Sequence, residues 1–133
     1  MSKLAKRVYL NKGGLGLKQN VSKEKSLEFA VRIVNLYKHL TTEKKEFVLS
    51  KQLLRCGTSI GANIAESENA QSRSDFLSKM NIALKEANET LYWITLLHKT
   101  EYLTDSQFES LGKDINELIS ILVAICKKLK SEN

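Results

Sequence analysis

Two stretches in the second half of the sequence place apolar residues in alternating steps of three and four, without interruption. One runs from Leu77 to Ile94 and the other from Phe108 to Leu129. A helix with this period carries its apolar residues as one seam, which packs along a neighbouring helix. Because the sequence contains no proline, nothing obliges these helices to break. The pattern therefore predicts long helices packed side by side.

The whole chain divides into four predicted helices. The first spans residues 22–40 and the second 42–68, the third begins near Ser72, and the fourth begins at Thr104. Ser72 with Asp75 resembles a capping box, and Thr104 with Gln107 matches the stricter form. The connections are short, so consecutive helices are expected to run antiparallel. We therefore predict an all-α fold, an antiparallel up-down-up-down four-helix bundle with a basic N-terminal arm.

The first two helices each have a predicted inner face. The apolar residues that define these faces are, for the first helix, Leu27, Ala30, Val31, Val34 and Tyr37, and, for the second, Phe47, Leu53, Ile60 and Ile64. The fourth helix is wider than one seam, because Ile119, Val123 and Cys126 lie beside it. A subunit interface and a thick central core explain this width equally well.

The second helix carries glycine and alanine at positions where a packed helix usually has larger side chains. Gly57, Gly61 and Ala65 recur every four residues, although each glycine within a helix costs roughly 1 kcal/mol relative to alanine. A smooth strip of this kind permits close packing, and we expect Trp93, with Tyr92, to lie against it. The residues assigned to helix packing or subunit contact are Gly57, Ser59, Gly61, Asn63, Ala65, Glu66 and Trp93.

Positive charge is concentrated at the start of the chain. Seven of the 21 Lys and Arg residues lie in residues 1–25, with one of the 15 acids, which leaves 14 of each for the rest. We predict a basic flexible arm over residues 1–21 and a bundle over 22–133. The arm residues predicted to contact phosphates are Lys3, Lys6, Arg7, Lys12 and Lys18. A solubilising arm, an arm that packs on a neighbouring subunit, and a non-native leader are alternatives.

The sequence shows no catalytic or metal-binding constellation. Neither His39 nor His98 belongs to a Glu-x-x-His pair, and the glycines at 13, 14 and 16 match no phosphate-binding loop. Cys56 and Cys126 each fall on an apolar helical face and are expected to be buried free thiols. No apolar run reaches the length of a membrane span. We expect a cytosolic protein that is not an enzyme and uses no cofactor.

Residues 54–103 resemble a bacterial family of four-helix bundles. The most specific part is Ser-Ile-x-x-Asn-Ile-Ala-Glu at residues 59–66, followed by a second block from Asp75 to Trp93. The first members of this family were encoded by intervening sequences in 23S rRNA genes, and the family is also labelled S23 ribosomal protein. The chain departs from the commoner pattern at Ser67 and Ala70, where many relatives carry Gly and Arg. In this chain the arginine stands three residues later, at Arg73.

The resemblance implies a non-enzymatic bundle that associates with nucleic acid. A related protein, the accessory variability determinant of diversity-generating retroelements, forms a pentameric ring that binds nucleic acid. From this resemblance we expect a homo-oligomeric ring, such as a pentamer. We also expect RNA or DNA as a binding partner. Additional phosphate contacts are assigned to Arg55, Arg73, Lys79 and Lys85. The competing hypothesis is a protein-interaction or structural module that uses the wide apolar face of the fourth helix.

Overall fold

The computed structural model describes residues 15–132, and these residues form a four-helix bundle without strands. Its helices are α1 (Leu15–Thr42), α2 (Leu49–Ser67), α3 (Arg73–Lys99) and α4 (Asp105–Ser131). The predicted all-α fold class is thereby confirmed. Within the described range, none of the helices has the length and apolarity that crossing a membrane requires.

Each helix runs antiparallel to the next along the chain, and α4 returns beside α1 to close the bundle. Ion pairs mark the register of the seams. Lys23 pairs with Glu68 across α1 and α2 at 2.9 Å, and Lys79 pairs with Glu66 across α2 and α3 at 3.0 Å. Between α1 and α4, Lys25 Nζ lies 2.9 Å from Glu117. Helix α1 therefore begins at the end of the bundle where α4 finishes.

The predicted starts of α3 and α4 are confirmed, and so is the predicted seam of α4. The predicted seam of α3 is confirmed in part, because Leu77, Leu84 and Leu91 are only half-buried. The Ser72 hydroxyl accepts the backbone N–H of Asp75 at 3.1 Å, and Thr104 and Gln107 form a reciprocal capping box. Along α3, Met80, Ala87 and Ile94 are fully buried, and in α4 the seam from Leu111 to Leu129 is buried throughout. Full burial of a Leu, Ile or Met side chain contributes about 1.5 to 3 kcal/mol, so both helices add substantially to stability.

The predicted inner face of α1 is wrong. Leu27 is 66% exposed, Val31 is 54% exposed, and Val34 also lies at the surface. The residues that α1 buries instead are Gln19, Ser22, Ser26, Phe29, Ile33 and Leu40. Helix α1 also begins at Leu15, within the segment assigned to the arm, and the division of the chain at residue 21 stays a prediction.

Helix α2 begins at Leu49, seven residues after the predicted start, because residues 43–48 form a connection. The buried carboxylate of Glu46 accepts the backbone N–H groups of Val48, Leu49 and Ser50 at 2.7 to 3.1 Å. These donors have no partner within the helix, so Glu46 fixes where α2 starts. Phe47, predicted to be part of the inner face of α2, lies in this connection and is exposed.

Candidate nucleic-acid and subunit surfaces

The glycines of α2 pack closely against helix α1 and not against the aromatic residues of α3. A Cβ atom at position 57 would lie 3.0 Å from Cγ1 and Cγ2 of Ile33. At position 61 it would lie 3.3 Å from the Ser26 hydroxyl and 3.4 Å from the Ser26 carbonyl oxygen. The expectation of close packing at the glycines is thus met, but Trp93 is not the residue that approaches them.

Small polar residues make this approach possible from the side of α1. Ser22 and Ser26 are buried, and their hydroxyls donate to the carbonyls of Gln19 and Lys23 within the same helix. Each serine therefore brings little bulk and no unsatisfied donor into the seam. Of the two glycines, Gly61 faces Ser26 and Gly57 faces the larger Ile33.

Trp93 belongs to a polar network on the α2–α3 side of the bundle. Its Nε1 donates to the carboxylate of Glu89 at 3.1 Å, and its ring meets Tyr92 edge to face. Arg55 also donates to Glu89 and lies 3.4 Å from Glu86. Arg55, a predicted phosphate contact, is therefore already held by two carboxylates.

Two further predicted phosphate contacts are also engaged. Arg73 donates to the carbonyl oxygens of Leu129 and Glu132 at 2.6 and 2.9 Å, which caps the C-terminal end of α4. Lys79 pairs with Glu66, and the hydrogen bond to that carboxylate raises the pKa of Lys79. Lys85 is exposed on the outer side of α3, and Lys18 is exposed on the first turns of α1. Lys3, Lys6, Arg7 and Lys12 lie outside the described residues.

The remaining residues assigned to packing make local contacts on α2. Ser59 donates to the Arg55 carbonyl oxygen at 2.7 Å, and the Asn63 amide donates to the Ser59 carbonyl oxygen at 2.9 Å. Ala65 is exposed, beside Gly61 and Ala62. These small residues form one wall of a groove of about 270 Å³, and Leu27 and Ala30 of α1 form the other. The groove joins the exposed apolar residues of α1 to the smooth strip of α2.

Sequence reasoning missed a second group of basic residues, at the end of α4. Lys127 and Lys130 are exposed, and neighbouring Lys128 is half-buried. Counting charge for the whole body hides this group, because acids elsewhere balance it. Dividing the helices into their two ends, as the antiparallel topology requires, would have revealed it.

Both histidines line a cleft of about 320 Å³ at the opposite end of the bundle. His98 Nε2 lies 2.7 Å from Asp105 Oδ1, and its ring stacks on Phe108. Within residues 15–132, no three His, Cys, Asp or Glu side chains come together as metal ligands. Cys56 and Cys126 are buried free thiols, as predicted. Burial raises the pKa of Cys56 to about 11 and also raises that of Cys126.

Comparison with known proteins agrees with this architecture. The sequence model of the 23S rRNA-intervening sequence protein family matches residues 18–124. A crystal structure of a protein of unknown function from the S23 ribosomal protein family of Bacteroides thetaiotaomicron superposes with a TM-score of 0.81. That protein is 65% identical, and the match covers 83% of this chain and 98% of that one. No curated protein matches significantly. The chain belongs to the 23S rRNA-intervening sequence protein family.

Proposed function

We propose that the protein is a non-enzymatic accessory protein that binds RNA or DNA as a homo-oligomer. The observation that carries the proposal is the segregation of charge. Residues 1–25 hold seven Lys and Arg and one acid, whereas the remainder holds 14 of each sign. A concentrated basic segment attracts the phosphate backbone of a nucleic acid without requiring a particular base sequence.

The ion pairs of the bundle support this assignment to the basic segment. Arg55 and Lys79 are bound to carboxylates of α2 and α3, and Arg73 is bound to the end of α4. A phosphate that contacted them would compete with those partners for the positive charge. The arm residues and Lys18 therefore remain the main predicted phosphate contacts, with Lys85 as an exposed contact on the bundle.

The test compares the full chain with a version that begins at Leu15, which removes four basic residues and leaves α1 whole. Fluorescence anisotropy of a labelled RNA hairpin and a duplex DNA is measured across a salt series. We expect the full chain to bind, with an affinity that falls steeply with salt. We expect the shortened chain to lose about three or four units of the log–log slope, close to one per lost phosphate contact. Absence of binding by the full chain at low salt would refute the proposal.

Self-association is supported by the apolar residues that α1 exposes. Leu27, Val31 and Val34 follow one another at helical spacing, and Leu27 also lines the groove along Gly61 and Ala65. An exposed apolar stripe of this kind is typical of a surface that another subunit covers. We propose that a second copy of the chain covers it, and that repetition of the contact closes a ring, for which the resemblance suggests a pentamer.

Light scattering during gel filtration tests the oligomer. Leu27→Glu together with Val31→Glu is expected to yield monomers, since both side chains are exposed and neither supports the core. Val123→Glu, at an exposed position on α4, is the matched control and should leave the assembly unchanged. A full chain that is monomeric at high concentration would contradict the assembly.

The alternative, a protein-interaction module on the wide face of α4, has less support. Of the three residues that widen this face, Cys126 is buried, Ile119 is half-buried, and only Val123 is substantially exposed. The core therefore uses most of the extra width. If Val123→Glu altered assembly while the α1 variant did not, the alternative would be favoured.

A further inference from the structure

One end of the bundle brings together basic residues that are far apart in the sequence. Helices α1 and α4 run antiparallel, as the pairs Lys25–Glu117 and Arg32–Asp114 show. The first turns of α1 therefore lie beside the last turns of α4. This arrangement places Lys18 at the same end of the molecule as Lys127 and Lys130. We call these three residues the basic end.

Within residues 15–132, no ion pair engages the side chains of the basic end. All three lysines are exposed, and Lys127 and Lys130 are three positions apart, so they share one side of α4. Two nearby acids are engaged elsewhere, because Glu68 pairs with Lys23 at 2.9 Å and Glu132 lies 3.4 Å from Arg73. Glu24 of α1 is exposed and offsets part of the remaining charge, but the three lysines outnumber it and leave the basic end net positive.

The basic end also lies where the arm joins the bundle. Helix α1 begins at Leu15, three residues before Lys18, and the preceding residues contribute Lys3, Lys6, Arg7 and Lys12 without any acid. Segments from both ends of the described chain thus place positive charge in one region. A polyanion that the arm attracts therefore meets further lysines at its point of attachment.

We infer that the basic end is a second phosphate-binding surface, on which Lys127 and Lys130 of α4 contact the nucleic-acid backbone together with Lys18. The inference rests on the proposed function and adds a folded surface to it. A basic residue in the last turn of a helix also interacts favourably with the helix dipole. The experiment must therefore separate a contribution to binding from a contribution to the stability of α4.

Paired substitutions in the full chain test the inference. One variant carries Lys127→Glu and Lys130→Glu, and its control carries Lys51→Glu and Lys113→Glu, two exposed lysines near the other end of the bundle. Both variants change the net charge by the same amount. The probe is a fluorescein-labelled RNA hairpin, titrated across a salt series. Helical content and thermal melting of each variant are measured by circular dichroism.

We expect the variant of the basic end to bind at least about tenfold more weakly and to lose about two units of the log–log salt slope, one for each phosphate contact. The control should change affinity less than about threefold, because its charges lie far from the ligand relative to the screening length. Lys127→Gln with Lys130→Gln removes the contacts without adding negative charge, and should show the same loss of slope.

The possible results separate the inference from the proposed function. If the full chain binds RNA but both glutamate pairs weaken binding equally, only total charge matters and the inference is overturned. If neither pair affects binding and the chain that begins at Leu15 binds nothing, the arm acts alone and the inference is again overturned. If the unmodified full chain does not bind, the proposed function itself fails.

Discussion

Ile33 and Gly57 face each other across the seam between α1 and α2, where a Cβ atom added at position 57 would lie 3.0 Å from two carbons of Ile33. Ile33 is fully buried and branched at Cβ, so it has little freedom to withdraw. We expect Gly57→Ala to lower the free energy of unfolding by about 1 to 2 kcal/mol, since overpacking outweighs the gain in helix propensity. Denaturant unfolding measures the change.

Gly112→Ala is the matched control for this substitution. Gly112 also lies within a helix, but a Cβ atom there would meet nothing within 4 Å. We expect this variant to be stabilised by up to about 1 kcal/mol. Equal effects of the two substitutions would show that the α1–α2 seam is not tightly packed at Gly57.

Glu46 makes the start of α2 sensitive to acid. Burial raises the pKa of this carboxyl, but hydrogen bonds from Leu49, Ser50 and Val48 outweigh it, so the net pKa lies below the ordinary value of 4.5. The ionised form therefore stabilises the folded protein above about pH 4.5, and this contribution is lost as the pH falls through the lowered pKa.

We expect Glu46→Gln to reduce stability at pH 7 by about 1 to 2 kcal/mol, and to flatten the loss of stability at acidic pH. Urea unfolding between pH 3 and pH 7 gives both quantities. Glu43→Gln changes an exposed residue in the same connection and should not alter how the free energy of unfolding depends on pH. A Glu46→Gln profile parallel to that of the unmodified protein would contradict the assigned role.

Glu101 has a backbone conformation that favours glycine. It follows the end of α3 with φ of 69°, and the N–H groups of Glu101 and Tyr102 donate to the carbonyls of His98 and Leu97. This is the Schellman arrangement, in which a side chain is strained. Glu101→Gly should raise the free energy of unfolding by about 1 kcal/mol. Glu101→Gln removes only the charge and should not raise the free energy of unfolding. Thermal melting distinguishes the two variants.

The cysteines should be unreactive while the protein is folded. Burial raises the pKa of the Cys56 thiol to about 11, so at pH 8 only about one molecule in a thousand carries the thiolate. Cys126 is buried as well. We expect a thiol reagent such as DTNB to modify both residues rapidly in denaturant and only through rare opening in buffer. Rapid modification of both cysteines in the native protein would contradict their burial in the folded bundle.

The sequence predicts α3 and α4 well because periodic apolar residues encode both helices directly. Ala87 and Ile94 are buried where the seam places them, and Thr104 caps α4 as its spacing indicates. Helix α1 has the same period on its buried face, in Phe29, Ile33, Leu36 and Leu40, but Leu27, Val31 and Val34 form a competing exposed stripe. The buried face continues through Ser22 and Ser26, whose hydroxyls are satisfied within the helix, so a count of apolar residues selects the exposed stripe.

The start of α2 and the basic end were missed for other reasons. Glu46 acts through hydrogen bonds to the next few backbone groups, and nothing in the period of the sequence records them. Lys127 and Lys130 gain their significance only when α4 lies beside the start of α1. Of the predicted phosphate contacts, Arg55 is satisfied by Glu86 and Glu89, a pairing that depends on the register of two helices.

The antiparallel arrangement of α1 and α4 separates two surfaces of the molecule by direction. Lys18, Lys127 and Lys130 lie at one end of the bundle, whereas Leu27, Val31 and Val34 follow one another along the side of α1. A ligand held at the end, as we propose, would therefore leave the side stripe accessible to a second copy of the chain.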